Sequence, residues 1–210
     1  MTSQPPDEAS TDDDIFSIAR DGDFERLGQY IRSGREVNKH KSQGLTPLHV
    51  AAANGHSALC SRLILHGATV DSATQDGETA ILHAARMGHL DVVVLLCQQK
   101  ADPACEAHNG VTPLLAAAQN GHLEVVRFLL STNVLPGLWT RDGALCPLMA
   151  AAKNGHSAVC SLLLQSGVET NELNKDATSP THATALYYAA ENGDMETCSV
   201  LLMFGAGMLS

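Results

Sequence analysis

The sequence predicts a protein made of stacked copies of one short unit, because a single stretch recurs along it. The clearest copy begins at Gly110 and reads GVTPLLAAAQNGHLEVV. The stretch from Gly77, 33 positions earlier, reads GETAILHAARMGHLDVV, and the one from Gly44, 33 earlier again, reads GLTPLHVAAANGHSALC. Two later copies read GALCPLMAAAKNGHSAVC from Gly143 and TALYYAAENGDMETC from Thr184. A fixed period of this size is typical of repeat proteins, in which each unit packs only against its neighbours.

The repeated unit resembles the ankyrin repeat, which has a period of about 33 residues and the signature T-P-L-H-x-A. TPLHVAA occupies residues 46–52, NGH residues 54–56 and GA residues 67–68. The resemblance covers the chain from about Asp13 to the C-terminus. It implies an all-α fold, an ankyrin-repeat solenoid of stacked helix-turn-helix units joined by hairpin-like fingers. It also implies protein binding on the concave surface, which is made by the finger tips and the first helix of each unit.

The repeat divides the chain into a tail and six units. Residues 1–14 contain two prolines and five acids but no base, so they are expected to be a disordered acidic tail. Residues 15–43 form a degenerate N-terminal capping repeat, whose polar side chains suit an outer face without a neighbour. Full repeats are predicted at 44–76, 77–109, 110–142 and, with insertions, 143–182, and an uncapped C-terminal repeat at 183–210.

Within a full unit, the local sequence predicts two short helices. Thr46 is the expected N-cap of the first helix, and Pro47 suits its first position, where a missing N–H costs nothing. Gly55 is expected to end this helix in a left-handed conformation. Aromatic residues make up only 4% of the chain, so alanine and leucine must supply most of the core. The second helix carries an apolar stripe at helical spacing, formed by Leu59, Cys60, Leu63 and Ile64.

Two connections depart from the repeat. After Leu130 the chain reads STNVLPGLWTRDG, and one extra residue precedes Cys146, so we expect a locally irregular finger. The connection that holds NELNKDATSPTH is five residues longer than the period allows, which costs little in a surface loop. Ser179 precedes a proline there and is a candidate for phosphorylation, although a tolerated insertion is the simpler interpretation. Asn38 follows Val37 as in repeats that resemble this one and are hydroxylated on asparagine, so Asn38 is a candidate for that modification.

Composition excludes several classes of partner. The formal charge of −10 argues against nucleic acid, because binding a phosphate backbone needs clustered lysine and arginine. No apolar run approaches the roughly 20 residues that cross a bilayer, and the N-terminus lacks the basic and apolar parts of a signal peptide. We therefore expect a cytoplasmic protein without membrane insertion, with the nucleus as the alternative location.

Cysteines and histidines do not predict a catalytic or metal centre. Three of the cysteines hold one repeat position, where other units carry valine, so they are expected in the core. Four histidines recur one per unit, about 10 Å apart in such a stack, too far for shared ligation at bonds of about 2 Å. No G-x-S-x-G, H-E-x-x-H or phosphate-binding loop motif occurs, so we expect no enzyme, no cofactor and no metal. These cysteines are Cys60, Cys160 and Cys198, and the histidines are His56, His89, His122 and His156.

A binding surface is expected where one repeat position changes its chemistry from unit to unit. Trp, Tyr and Arg dominate binding hot spots, so Trp139, Arg141 and Tyr188 are the leading candidates. The alternatives are that Trp139 folds back onto its finger, that Tyr188 packs on its neighbour, and that the charged positions are a solvated face. The supporting candidates are Arg86, Met87, Glu78, His83 and Lys153.

The resemblance and the missing catalytic motifs together predict a non-enzymatic protein-binding scaffold or adaptor. Alternatives are a regulatory ankyrin segment of a larger enzyme, channel or ubiquitin-ligase adaptor truncated after residue 210, and a self-associating module. Both alternatives arise from the C-terminal repeat, which ends on SVLLMFGAGMLS without the polar outer face that a terminal repeat needs. Self-association would then use this last repeat.

Overall fold

The computed structural model describes residues 14–132, 134–173 and 183–207. All regular secondary structure in these ranges is helical. The described residues contain twelve α-helices in six pairs, and a short 3-10 helix at Ser42–Gly44. The helices are α1 Ile15–Asp21, α2 Phe24–Arg32, α3 Pro47–Ala53, α4 Ser57–Leu65, α5 Ala80–Met87, α6 Leu90–Gln98, α7 Pro113–Gln119, α8 Leu123–Ser131, α9 Pro147–Lys153, α10 Ser157–Gln165, α11 Ala185–Glu191 and α12 Met195–Met203.

The six pairs stack in chain order. Each first helix packs on the first helix of the next pair, as α3 does on α5 and α5 on α7, and the second helices form a parallel row beside them. This is the all-α solenoid that the repeat predicts. None of the helices in the described ranges is both long and apolar enough to cross a membrane. Ser179 and Asn133, together with residues 1–13, lie outside the described residues.

The helix boundaries follow the local sequence. Thr46 caps α3 by accepting a hydrogen bond from His49 N on its hydroxyl, and Pro47 occupies the first turn. Thr112 and Thr184 cap α7 and α11 in the same way. Each first helix ends one or two residues before a glycine with a positive φ, which is 76° at Gly55. A residue with a side chain would be strained there, and this explains why glycine recurs at that position.

One histidine in each of four units ties that unit to the one before. Its ring donates a hydrogen bond from Nε2 to a backbone carbonyl oxygen at the C-terminal end of the preceding first helix, and carbonyl oxygens can only accept. The same ring lies against the glycine that ends that helix, since a Cβ built on any of these glycines would lie 2.5–2.7 Å from the ring. The bonds join His56 to Arg20 (2.9 Å), His89 to Ala53 (3.1 Å), His122 to Arg86 (2.9 Å) and His156 to Gln119 (3.1 Å).

The last unit has Asp194 at the position of this histidine, and two different residues take over there. The side-chain amide of Asn192 donates to Lys153 O, which maintains the bond to the preceding unit. Asp194 caps α12 instead, because its carboxylate accepts hydrogen bonds from Glu196 N and Thr197 N at 3.1 Å. The equivalent glycine contact is looser here: a Cβ on Gly155 would lie 3.1 Å from the Asp194 carboxylate.

The fingers form a second connection between units. One backbone hydrogen bond joins each described finger tip to the next: Gln75 N to Gln43 O, His108 N to Asp76 O and Arg141 N to Asn109 O, at 2.8–3.0 Å. The extra residue of the fourth finger lies inside its tip, where Thr140 N bonds Leu145 O five residues on instead of four. That finger is therefore longer at its tip but keeps its bond to the preceding finger, a smaller irregularity than the sequence suggested.

The cysteines behave as core residues. Cys60 and Cys160 are fully buried, and burial raises the pKa of each thiol to about 12. Such thiols are almost entirely protonated near neutral pH and are poor nucleophiles and metal ligands. Cys198, at the same position in the last unit, is only half-buried.

The glycine contact predicts a difference between two substitutions at the same repeat position. Gly121→Ala and Gly193→Ala both place a side chain at positive φ, 75° and 68°, which costs about 1 kcal/mol each. Only at Gly121 would the added Cβ meet a histidine ring, at 2.6 Å, whereas nothing lies within 4 Å of a Cβ at Gly193. Gly121→Ala should therefore cost about 1–3 kcal/mol more in free energy of unfolding, measured by urea titration. Equal losses would show that the histidine ring does not constrain the glycine.

Candidate protein-binding surface

Four of the predicted binding residues lie together on α5 and the finger before it. The guanidinium of Arg86 forms two hydrogen bonds with the Glu78 carboxylate, one of them 3.1 Å from Nη1 to Oε2. His83 Nε2 lies 3.2 Å from the same Oε2 but is not aligned for a hydrogen bond. Met87, the last residue of α5, has 55% of its surface exposed. The sequence predicted these residues individually, and the structure brings them together.

The protonation states of this group follow from its geometry. The Arg86 guanidinium holds the pKa of Glu78 below its usual range, so this carboxylate is charged at neutral pH. Burial lowers the pKa of His83, and the nearby positive charge of Arg86 acts in the same direction, although Glu78 opposes it. The group is therefore an ion pair beside a neutral imidazole, and Arg86 is held in a fixed orientation.

His49 fixes the finger that carries Glu78. Its Nδ1 accepts a hydrogen bond from Thr46 N (3.2 Å), so the ring proton is on Nε2, which donates to Glu78 O of the next unit (3.1 Å). The His49 ring packs edge-on against His83, with 5.4 Å between centroids. His49 is almost completely buried, and burial lowers its pKa to about 4. The backbone of the second finger is thus tied to α3, which positions Glu78.

Two more predicted residues meet on α9 and α11. Lys153 is exposed, and its Nζ lies 5.4 Å from the centroid of the Tyr188 ring, within the range of a cation–π interaction. Tyr188 is half-buried, packs against the core, and meets Tyr187 edge-on at 5.7 Å. The packing alternative for Tyr188 is therefore partly realised, and Lys153 is the more accessible of the two.

Trp139 and Arg141 are only two positions apart in the sequence, but their side chains lie in different surroundings. Trp139 is half-buried and packs against the core cluster, as expected if it folds back onto its finger. Arg141 is exposed at the finger tip, where its backbone N–H bonds to Asn109 O. At the repeat position of His83 and Tyr188, helices α7 and α9 carry Ala116 and Ala150, which are buried.

Asn38, the candidate for hydroxylation, bridges two units. Its amide donates to Gly67 O (2.7 Å) and its oxygen accepts from Thr69 N (3.0 Å). Asn171 makes the same two bonds with Gly205 and Gly207, a role the sequence did not indicate because Thr replaces Val before it. Hydroxylation of Asn38 stays a prediction.

Within residues 14–132, 134–173 and 183–207, no three His, Cys, Asp or Glu side chains are placed to hold a metal ion.

Comparison with known families agrees with this architecture. The family profile described as "Ankyrin repeats (3 copies)" matches residues 15–107, 100–174 and 139–208. The chain belongs to the ankyrin-repeat family. Ankyrin repeats typically act as non-catalytic protein-interaction modules, so the family supports protein partners for this chain.

The chain matches its curated relatives over only part of their length. It is 42% identical over 69 residues to palmitoyltransferase AKR1 of Gibberella zeae, covering 32% of this chain and 10% of that protein. It is 39% identical over 54 residues to human ankyrin repeat domain-containing protein 39, covering 26% of this chain and 30% of that protein. The crystal structure of the human ASB11 ankyrin repeat domain superposes with a TM-score of 0.82 at 25% identity, covering 93% of this chain and 85% of that one.

The burial of His49 predicts how stability depends on pH. Its pKa is about 4 when folded and 6.5 when unfolded, so between these values the unfolded chain binds more protons. The free energy of unfolding should therefore rise with pH across this window, by up to about 1.4 kcal/mol per pH unit from this group, and level off above it. His49→Leu introduces the residue that two other units carry at this position, as Leu82 and Leu115. In urea titrations at several pH values, this variant should show a flatter rise of the free energy of unfolding with pH. An unchanged slope would contradict the assignment.

Proposed function

We propose that this chain is a non-enzymatic scaffold or adaptor that binds a partner protein on its concave surface. The observation that supports this is a division of tasks along the stack. The histidine tie is the same at four of the described junctions, whereas the side chains exposed on the first helices and finger tips differ. Among the predicted binding residues, Met87, Lys153 and Arg141 are exposed on this surface.

The proposed contact has a fixed part and an adaptable part. The Glu78–Arg86 pair is already ordered, so a partner that used it would lose little side-chain entropy on binding. Met87 is exposed and flexible, and methionine adapts to the shape of an apolar partner group. Lys153 over Tyr188 offers a cation beside an aromatic ring, a pair suited to a carboxylate next to an apolar side chain.

Two further predictions accompany this function. The protein is expected in the cytoplasm, with the nucleus as the alternative. A regulatory role within a larger enzyme, channel or ubiquitin-ligase adaptor is the second candidate. The similarity to a palmitoyltransferase bears on that candidate, although it covers only 10% of that protein.

The concave surface can be tested with two matched double variants. Met87→Glu with Lys153→Glu changes one apolar and one basic residue on this surface. Leu65→Glu with Arg127→Glu makes the same chemical changes on the second helices α4 and α8, where both side chains are exposed. Partners would be captured by crosslinking from lysate, identified, purified and titrated by calorimetry.

The concave variant should bind the purified partner roughly tenfold or more weakly than the parent chain does. Changing an interface residue of these types often costs over 1 kcal/mol of binding free energy. The control should change the affinity less than about twofold, and both variants should keep the parent's melting temperature. Unchanged affinity in the concave variant, with loss in the control, would place the partner on the second helices and contradict the proposal.

A further inference from the structure

A groove of about 210 Å³ lies between α1, the first finger and α3, on the concave surface of the first two units. Leu45 and Val50 line it and are half-buried, so part of each apolar side chain stays accessible. The groove is smaller than the clefts of about 300–1,000 Å³ that enclose small-molecule ligands, so it suits a side chain of a protein partner. We call it the Lys41 groove, and its lining includes Asp14, Phe16, Arg20, Lys41, Leu45 and Val50.

Two contacts hold Lys41 at this groove. Its backbone N–H donates to Leu45 O at 2.8 Å, which closes the finger tip. Its ammonium lies 5.6 Å from the centroid of the Phe16 ring, within the range of a cation–π interaction. Within the part of the chain that the structure describes, no carboxylate forms an ion pair with this ammonium. Lys41 therefore presents a positioned cation beside an apolar surface.

The other two charged residues of the groove have partners of different kinds. Arg20 pairs with Asp21 at 3.0 Å, but 66% and 47% of these side chains are exposed. Such an exposed pair contributes little and can be exchanged for a partner's carboxylate. Asp14 instead caps α1, because its carboxylate accepts a hydrogen bond from Phe16 N at 3.2 Å. The groove thus offers two cations, and its own acid is already used by the helix.

The positive charge at this finger position is specific to the first finger. Glu78 occupies the position of Leu45 at the next junction, so the equivalent place there carries an acid. The later finger tips begin with uncharged residues, each of which donates its N–H across the tip as Lys41 does: Thr74, Ala107 and Thr140.

The sequence around Lys41 is basic although the chain as a whole is acidic. Residues 26–41 contain five lysines and arginines and one acid, Glu36, in a chain of formal net charge −10. Two of these cations, on Arg35 and Lys39, lie 5.4 and 5.8 Å from the centroid of the Tyr30 ring, so they are grouped together. An acidic partner segment is therefore attracted to this unit and repelled by the net charge of the remaining chain.

We propose that the Lys41 groove binds an acidic segment of a partner protein. An apolar side chain of that segment packs on Phe16, Leu45 and Val50, and the carboxylates beside it pair with Lys41 and Arg20. Because Lys41 is already held over the Phe16 ring, little side-chain entropy is lost when a carboxylate binds it. This inference names a partner chemistry for one part of the concave surface, so it rests on the function proposed above.

The test uses a short rhodamine-labelled peptide in which one leucine is flanked by glutamates. One twin peptide carries lysine in place of glutamate, and another carries serine in place of leucine. Fluorescence anisotropy at about 0.15 M salt should show residues 1–210 binding the leucine–glutamate peptide at least about tenfold more tightly than either twin. Non-specific attraction to a chain of net charge −10 would instead favour the lysine peptide.

Two variants with the same change of charge locate the binding. Lys41→Glu should weaken binding of the leucine–glutamate peptide by about tenfold or more, because it places a like charge beside the Phe16 ring. Arg32→Glu changes an exposed residue of α2 that lines a separate groove, and it should weaken binding by less than about threefold. Lys41→Arg should keep the affinity of the parent chain. All three variants should keep the parent's melting temperature, since both side chains are exposed.

Several results would overturn the inference. These are the lack of a preference for the leucine–glutamate peptide over its twins, equal losses in Lys41→Glu and Arg32→Glu, and tighter binding of a DNA oligonucleotide that Lys41→Glu abolishes. A variant with amides in place of four acids of the chain should change the peptide affinity by less than about threefold. Peptide binding that appears only in this variant would show that the occupant is the chain's own acidic segment. These acids are Asp7, Glu8, Asp12 and Asp13.

The test of the proposed function can fail or succeed independently, because it changes Met87 and Lys153. A captured partner that needs those two residues, while the leucine–glutamate peptide shows no preference for the parent chain over Lys41→Glu, would overturn this inference alone. Peptide binding that depends on Lys41, together with a captured partner that binds on the second helices, would support the Lys41 groove and contradict the wider concave surface.

Discussion

The contact between a histidine of one unit and the glycine and carbonyl of the unit before is the constraint on which the rest of this structure depends. A single pair of helices, seven to nine residues each, cannot bury enough surface to be stable alone. The pairs must therefore stack, and the stack must have one spacing. The imidazole sets that spacing because it satisfies a helix-terminal carbonyl and fills the space that the missing glycine side chain leaves. The finger-to-finger hydrogen bonds hold the other edge at the same interval.

Because these ties use backbone atoms and a few recurring side-chain types, they leave other surfaces unspecified. The first helices and finger tips can vary without changing the spacing, and the Glu78–Arg86–His83 group shows how such variable positions become ordered by their neighbours.

The sequence predicted much of the framework because each feature is local. Thr46, Pro47 and Gly55 act within a few residues of their own position, so the helix pairs and the solenoid could be predicted without coordinates. The separation of the recurring histidines predicted that they would not share a metal, but their carbonyl partners, some 36 residues away, could not be predicted from spacing. The grouping of Glu78 with Arg86 and His83 depends on how a finger folds against a helix.

The most direct test of this account is equilibrium urea unfolding of His156→Ala beside the parent chain, followed by two signals. Fluorescence of the single tryptophan, Trp139, reports on the junction that His156 joins, and far-UV circular dichroism reports on all helices. The account predicts coincident transitions in the parent, as in cooperative unfolding, and a fluorescence transition at lower urea than the dichroism transition in the variant. Coincident transitions in the variant at the parent's midpoint would contradict it, because the stack would then hold together without the histidine tie.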